Sequence, residues 1–234
     1  MARRLTIKSP IGKVVARLVM PANPHPVGVL LAHGAGAGQD HPFMVTLRDA
    51  IASFGYPTMT FNYHYIERGS RAPDRPPKLL AVHRAAADRL ATYCDTVVIA
   101  GKSMGSRMGT HLVGDEGWDA AGVVCFGYPL VPIGKSEVRP TDHLGRIACP
   151  QLFFAGTRDR LSPPDRMSAA LAAISDARLV VVDGADHGFH VLKRSGRTDR
   201  DVVDQLSVTT ARWLATPHPA EDRETGVPFG TPEF

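Results

Sequence analysis

The residues with the clearest chemical potential lie in one short segment, Gly101-Lys102-Ser103-Met104-Gly105. An apolar, β-branched run precedes the segment and a helix-compatible run follows it, which predicts a strand, a sharp turn and a helix with Ser103 at the apex. So tight a turn strains its central residue and requires small residues two positions away on either side, as Gly101 and Gly105 are. The segment therefore predicts a nucleophilic serine; a glycine-rich loop with an incidental serine is the alternative.

A serine hydroxyl is a useful nucleophile only when a base removes its proton and a third group orients that base. Among the ten histidines, His187 lies just past the last predicted strand, and Asp159 lies three residues past the end of the strand before it. Both residues therefore fall on loops after later strands, in the order serine, acid, histidine. We predict Ser103, Asp159 and His187 as a catalytic triad.

Other ionisable side chains near these positions have simpler interpretations. His190 is the alternative base. Asp165 falls at a predicted helix start, where a carboxylate suits the helix dipole. Asp183 and Asp186 are too close to His187 in sequence to reach round it easily. His187 and His190 could share a metal ion, but no nearby cysteine, histidine or carboxylate set completes a site, so we expect no metal and no cofactor.

An acyl-transfer site also needs N–H donors for the negative oxygen of its tetrahedral intermediate. The N–H of Met104 is one candidate, because it lies at the N-terminus of the predicted helix. The second donor is expected from the loop His33-Gly34-Ala35-Gly36-Ala37-Gly38, whose alternating glycines let backbone amides turn toward a ligand. Ala35 is the first choice for this donor and Gly36 the second. A plain flexible loop is the alternative.

Three further side chains beside these motifs are candidates for substrate binding. His33 begins the glycine loop, and it either shapes that loop or contacts the substrate. Lys102 precedes the nucleophile, and whether it points to the helix-covered side or to solvent is open. Tyr128 follows a predicted strand that ends at the same edge of the sheet.

The elements that must position these residues alternate between strand-like and helix-like segments, which favours an α/β fold with a mostly parallel sheet flanked by helices. An antiparallel pair opens the chain, and the sequence 63–77 reads as a loop. The predicted strands are 4–8, 13–19, 27–33, 56–62, 96–100, 121–127, 151–156 and 178–182. The predicted helices are 42–54, 78–93, one ending near Val113, one starting near Pro163, and 199–215.

The length and composition favour one large domain. The 234 residues include 44% hydrophobic residues, and residues 1–215 are predicted to form a single domain with no insertion long enough for a large lid. The segment 216–234 carries four prolines and little apolar content, which predicts an extended or disordered tail.

The composition also indicates where in the cell the protein is expected and which partners it is expected to bind. No apolar stretch reaches the roughly 20 residues of a membrane span, and the basic start lacks the apolar run of a secretory signal. Three cysteines without a Cys-x-x-Cys pair suit reduced thiols and a cytoplasmic location. No Lys/Arg run exceeds two residues, so neither nucleic acid nor membrane is expected as a partner, and the oligomeric state is open.

Taken together, these ordered motifs resemble the α/β-hydrolase superfamily over nearly the whole chain. More narrowly, the chain is similar to the dienelactone-hydrolase-like proteins grouped with testis-expressed protein 30 and with a subunit of the nonspecific-lethal acetyltransferase complex. The resemblance implies Ser103 as nucleophile, Asp159 as acid and His187 as base, but it implies no substrate. The motifs that carry it are Ala32–Gly38, Asp40–Met44, Gly101–Arg107, Gly127–Leu130, Gly156–Asp159, Asp186–Phe189 and Arg194–Thr198.

The loops expected around the mouth of the site are rich in positive charge. The segments 63–77, 128–147, 157–163 and 184–198 contain eleven basic and six acidic residues. We hypothesise that this rim steers anionic substrates toward Ser103; a solvated arginine-rich surface is the alternative.

The predicted activity is that of a serine hydrolase cleaving a small ester or thioester through an acyl-enzyme. Acyl transfer or peptidase action on the same triad is one alternative. The other is a non-catalytic scaffold or ligand-binding protein, because some relatives act as assembly subunits.

Overall fold

A computed structural model describes residues 2–216, and its centre is one sheet of eight strands. The strands are β1 (Arg3–Ser9), β2 (Gly12–Val19), β3 (Val27–Ala32), β4 (Thr58–Phe61), β5 (Thr96–Lys102), β6 (Gly122–Phe126), β7 (Gln151–Gly156) and β8 (Ala177–Val182). Their spatial order is β1-β2-β4-β3-β5-β6-β7-β8. β1 pairs antiparallel with β2, and β2 with β4, whereas every pairing from β4 to β8 is parallel.

Six α-helices connect or flank the strands in the described part of the chain. They are α1 (Pro42–Ser53), α2 (His64–Glu67), α3 (Pro76–Leu90), α4 (Met104–Gly114), α5 (Pro164–Leu171) and α6 (Asp199–Ala215). A Thr198–Asp201 capping box begins α6, because each side chain accepts a hydrogen bond from the other residue's backbone N–H. No helix among residues 2–216 has both the length and the apolar character that a membrane span requires.

The core consists of two layers, one on each face of the sheet. Leu30 and Ala32 of β3 face the layer that contains α3, α4 and α5, whereas Val29 and Leu31 face the layer that contains α1 and α6. All four side chains are fully buried. Side chains of a strand alternate between its faces, so a continuous apolar run is what a strand covered on both sides requires.

The predicted elements agree with the structure except at a few boundaries. Segment 63–77, expected to be a loop, contains α2, and α3 begins at Pro76 rather than at residue 78. Proline suits the first turn of a helix because the N–H that it lacks has no partner there. β4 is shorter than the predicted 56–62. Thr216, assigned to the tail, caps α6 through its N–H to Trp213 O, and the rest of that predicted tail, 217–234, lies outside the described residues.

Candidate active site

The turn between β5 and α4 has the geometry that its sequence predicts. Ser103 has a φ of 51° and a ψ of −114°, a strained conformation for a residue with a side chain. A Cβ atom on Gly101 would overlap the backbone of Gly105. One on Gly105 would overlap the carbonyl of Ala32 at the end of β3. The two glycines therefore allow α4 to start directly against the sheet, with the serine at the apex of the turn.

The structure brings Ser103, His187 and Asp159 into one hydrogen-bonded chain. Ser103 Oγ lies 2.8 Å from His187 Nε2, and His187 Nδ1 lies 2.8 Å from Asp159 Oδ2. A carboxylate only accepts hydrogen bonds, so Nδ1 carries the hydrogen and Nε2 accepts from the serine hydroxyl. This arrangement can deprotonate the serine while the acid holds the imidazole in one tautomer.

Hydrogen bonds hold Asp159 in the turn that follows β7. Its side chain is buried, and its other oxygen, Oδ1, accepts hydrogen bonds from the N–H groups of Leu161 (2.8 Å) and Ser162 (3.0 Å). Both carboxylate oxygens are therefore occupied, one by the backbone and one by His187. The acid can move little relative to the imidazole.

Lys102 points toward the loop that carries the histidine. Its ammonium nitrogen donates to the carbonyl oxygen of His187 at 2.5 Å and lies 5.3 Å from the centre of the Phe189 ring. Burial lowers the pKa of Lys102 to about 8, although the nearby charges of Asp159 and Asp186 oppose this shift. The side chain, whose direction the sequence left open, thus connects β5 to the histidine loop rather than lining the cavity beside Ser103.

His33 anchors the glycine loop from inside the protein. It is fully buried; its Nδ1 lies 2.7 Å from the carbonyl oxygen of Gly34, and its Nε2 accepts from the N–H of Tyr63 at 3.2 Å. Burial lowers the pKa of this imidazole to about 4, so it is neutral at physiological pH. Of the two roles that the sequence allowed, the structure shows the loop-shaping one, and no exposed part of the ring reaches a substrate.

The two choices for the second oxyanion donor differ in their surroundings. The N–H of Gly36 donates to the Tyr65 hydroxyl at 3.2 Å. Ala35 and Met104 both line the cavity that contains Ser103. The assignment of Met104 and Ala35 as donors stays a prediction, and the Tyr65 contact disfavours Gly36.

Tyr128 does not line the cavity, so the prediction that it binds substrate requires correction. The residue is fully buried, its ring packs edge-on against Phe153, and its hydroxyl lies 3.4 Å from His143 Nε2. The physical reason is the preceding residue, Gly127, whose φ of 66° turns the chain as it leaves β6. The tyrosine side chain therefore enters the core on the α3–α4 side of the sheet.

The alternative acids and base occupy other places. His190 pairs with Asp199 at 2.6 Å on the surface, away from Ser103. Asp186 accepts from the N–H groups of Gly188 and His190 and so shapes the histidine turn. No group of three or more histidine, cysteine, aspartate or glutamate side chains within residues 2–216 is arranged to hold a metal ion.

A cavity of about 300 Å³ opens beside Ser103. Two arginines, Arg107 of α4 and Arg139 of the 128–147 segment, contribute to its wall together with Asp74. Most of the remaining surface is apolar and comes from Leu79, Met104, Met108, Val131, Ile133 and Leu161. The site can therefore hold a small molecule that has an apolar body and a charged group.

The rim of positive charge predicted from the loops is only partly present at the cavity. Of its eleven basic residues, Arg139 alone lines the cavity, while Arg68 pairs with Asp74. Arg107 is not among the predicted rim residues, because it lies on α4 and not on one of the loops. Its spacing of four from Ser103 was the available signal, since residues four apart share one helix face.

Comparison with known proteins gives a consistent family and fold. A model of the alpha/beta hydrolase domain matches residues 25–215. An alpha-beta serine hydrolase homologue from Coxiella burnetii is 20% identical with a TM-score of 0.73, and the match covers 91% of this chain and 97% of that one. A serine hydrolase without a lid from Xanthomonas campestris is 19% identical, with a TM-score of 0.71 and coverages of 92% and 97%. A dienelactone hydrolase from Anabaena variabilis is 18% identical, with a TM-score of 0.72 and coverages of 92% and 96%. At these identities, the structural likeness establishes the fold.

Proposed function

The chain belongs to the alpha/beta hydrolase domain family, and on that premise we propose that it is a serine hydrolase that cleaves small esters or thioesters. One observation carries the proposal: the chain of two 2.8 Å contacts from Ser103 through His187 to Asp159. These three groups have the types and the order that nucleophilic acyl transfer requires.

The reaction runs through an acyl-enzyme. His187 Nε2 takes the hydroxyl proton as Ser103 Oγ attacks the carbonyl carbon, and Asp159 stabilises the resulting imidazolium. The N–H groups of Met104 and Ala35 stabilise the oxyanion, and His187 then returns the proton to the departing alcohol or thiol. In the second half, His187 deprotonates a water molecule, which attacks the acyl-enzyme and releases the acid and the serine hydroxyl.

Three features support a small substrate and hydrolysis over acyl transfer. The cavity is small and largely apolar, and Ile133 at its edge is 85% exposed, so water reaches the site. Structural relatives include an esterase domain from Rhodothermus marinus and the dienelactone hydrolase. The narrower grouping with testis-expressed protein 30 rests on sequence motifs alone and adds no substrate.

The proposal includes a cytoplasmic location. Cys94 and Cys125 form no disulfide within residues 2–216, as a reducing compartment favours. Fractionation of the source cells with an antibody against the chain tests this part separately; recovery outside the cytoplasmic fraction contradicts it.

The test of the serine is intact-mass analysis after exposure to a small fluorophosphonate. We expect one stoichiometric adduct on the wild-type chain, none on Ser103→Ala, and labelling at least about a hundredfold slower on His187→Ala, since general-base catalysis contributes at least this much. Ser136→Ala, a change at an exposed serine of the 128–147 segment, is the matched control and should label like wild type. A folded wild-type chain that forms no adduct and hydrolyses no ester overturns the proposal in favour of a non-catalytic binding role.

A further inference from the structure

We propose that Arg107 and Arg139 form an anion-binding subsite in the cavity beside Ser103, so that the preferred substrate carries a carboxylate or a phosphate a few bonds from its scissile carbonyl. This inference rests on the proposed function of Ser103 and deepens it. It replaces the general hypothesis of a basic rim with two specific residues that line the cavity.

The position of Arg107 follows from the helix that begins at the nucleophile. Arg107 lies four residues after Ser103, which corresponds to a rise of about 6 Å along the axis of α4. A long side chain on a helix leans toward the helix N-terminus, so the Arg107 side chain leans back along the face that carries the serine. Its lining of the same cavity as Ser103 and Met104 agrees with this direction.

Arg139 reaches the same cavity from the 128–147 segment. Its backbone N–H donates to Leu130 O at 2.8 Å, and its Nε donates to Pro129 O at 3.2 Å. Both contacts hold the chain that carries Arg139, and the second restrains its guanidinium group. No hydrogen bond from residues 2–216 occupies its two terminal nitrogens, so both can bind a ligand.

The two guanidinium groups are half-buried and have no acidic partner in the described part of the chain. Within residues 2–216, no carboxylate lies within 4.0 Å of either one, and most of the other arginines without such a partner are exposed. Six arginines pair with acids in that range: Arg17, Arg48, Arg68, Arg84, Arg146 and Arg200. Burial and the charge of Arg139 both lower the pKa of Arg107. Two half-buried like charges without a carboxylate are unfavourable unless an anion joins them.

One acid shares the cavity wall, and a cation from outside the cavity offsets its charge. Asp74 Oδ1 accepts from Arg68 at 2.7 Å, whereas Asp74 Oδ2 is buried and has no hydrogen-bond partner among residues 2–216. The net charge that a substrate meets in the cavity is therefore that of Arg107 and Arg139. A planar guanidinium binds a carboxylate or a phosphate through two parallel hydrogen bonds, which a neutral group cannot replace.

The surrounding surface restricts the rest of the substrate. Apolar side chains such as Met104, Met108 and Val131 also line the cavity, which suits a short methylene chain. An acyl chain with its carboxylate three methylene groups from the scissile carbonyl spans roughly one helical turn of ~5.4 Å. Half-esters of short dicarboxylic acids have this form, and so do thioesters of the same acids.

The experiment compares two esters with the same leaving group, para-nitrophenyl hemiglutarate and para-nitrophenyl hexanoate. The measured quantity is the ratio of their kcat/KM values in wild type, Arg107→Met and Arg139→Met. Methionine keeps the apolar stem of each arginine and removes the charge. We expect wild type to prefer the hemiglutarate, and each substitution to lower the ratio about tenfold or more, as the loss of a charge-assisted hydrogen bond predicts.

Arg160→Met is the matched control, because Arg160 is an exposed arginine of the rim that does not line the cavity. We expect its ratio to stay within twofold of wild type. A similar fall of the ratio in all three variants would overturn the subsite, because it would mean that long-range attraction by the whole rim sets the preference for the anionic ester. Unchanged ratios in Arg107→Met and Arg139→Met, with fluorophosphonate labelling intact, would overturn the subsite and leave the hydrolase proposal standing.

A binding measurement decides the subsite even if the chain hydrolyses neither ester. Isothermal titration calorimetry with monomethyl glutarate uses the Ser103→Ala chain, alone and combined with Arg107→Met or Arg139→Met. Affinity that falls about tenfold in both combined variants supports the subsite without reference to catalysis. Equal affinity in all three chains, or no binding to any, overturns it.

Discussion

The catalytic groups and the cavity beside them are built differently. The triad wall comprises Lys102, Ser103, Asp159 and His187, of which Ser103 reaches the cavity. Hydrogen bonds of 2.5 to 2.8 Å connect these four groups to one another or to backbone N–H groups. The cavity wall carries Arg107 and Arg139 without carboxylate partners among the described residues, and it includes the exposed Ile133. The triad wall is arranged before a substrate arrives, whereas the cavity wall needs a ligand to satisfy its charges.

This difference separates chemistry from selectivity. Preorganised groups at the reacting atoms stabilise a transition state because they need not rearrange during the reaction. Groups that only the ligand can satisfy favour one substrate over another, because a substrate without the matching charge leaves them unpaired. Changes to the triad wall should therefore lower the rate of hydrolysis of every substrate alike. Changes to the cavity wall should alter which substrates the enzyme prefers.

The largest expected effect comes from Asp159→Asn on the triad wall. The substitution keeps the shape but removes the acceptor that sets the His187 tautomer, so kcat should fall about 10⁴-fold for every ester. Asp186→Asn is the control, since Asp186 accepts only from backbone N–H groups of the same turn. Its kcat should stay within tenfold of wild type. Equal losses in both variants would mean that the shape of the turn, rather than the imidazole tautomer, limits the reaction.

Gly105→Ala tests how tightly the triad wall is packed. The added Cβ would overlap the Ala32 carbonyl, so the free energy of unfolding should fall by about 3 kcal/mol in urea titrations. Gly145→Ala, in the 128–147 segment, is the control, because a Cβ there meets no atom within 4 Å. A loss below about 1 kcal/mol for Gly105→Ala would show that the turn relaxes.

Acid should lower the stability of the fold through two buried imidazoles, those of His33 and His83. His33 accepts from the N–H of Tyr63, and the hydroxyl of Tyr63 contacts His83 at 3.0 Å. Burial lowers the pKa of His33 from 6.5 to about 4 and that of His83 from 6.5 to about 3. As the pH falls from 6.5 toward 4, the unfolded chain binds protons that the folded chain does not, so the free energy of unfolding falls.

The measurement is urea unfolding at pH 7 and pH 4.5 of wild type and His83→Asn. Between pH 7 and pH 4.5, the free energy of unfolding should fall by about 2 kcal/mol less in the variant than in wild type, because the variant lacks this titrating group. His25→Asn, a change at an exposed histidine, is the control, and its free energy of unfolding should fall by as much as that of wild type. The same pH dependence in wild type and His83→Asn would refute the role of this buried imidazole.

The smallest effect is expected from Ile133→Ser on the cavity wall. Because the side chain is 85% exposed, the free energy of unfolding should change by less than about 0.5 kcal/mol. KM for para-nitrophenyl hexanoate should rise about threefold, since apolar contact with the acyl chain is lost. Val138→Ser, in the same segment but away from the cavity, should leave KM unchanged. A larger stability loss in Ile133→Ser would show that the cavity wall is structural as well.

The sequence predicts the triad wall far better than the cavity wall, and the reason is physical. The turn at Ser103 is encoded locally by Gly101 and Gly105, and each triad residue follows a strand with a clear apolar pattern. The burial of Tyr128 depends on the φ of Gly127, which residue types alone do not specify. The Gly36 N–H is occupied by a hydrogen bond that it donates to the hydroxyl of Tyr65, which is 29 residues away in the chain.

The order of the strands also determines when the triad can exist during synthesis. His187 lies 84 residues after Ser103 and must wait for β6, β7 and β8. At ribosomal rates of about 5–20 residues per second, the serine precedes its base by roughly 4–17 s. During that interval, the unpaired edge of the growing sheet passes from β5 to β6 and then to β7, as each following strand is synthesised. A nascent chain therefore carries a serine without its base in a sheet whose unpaired edge can pair with other chains. We expect the nascent chain to depend on chaperones most strongly just before activity appears.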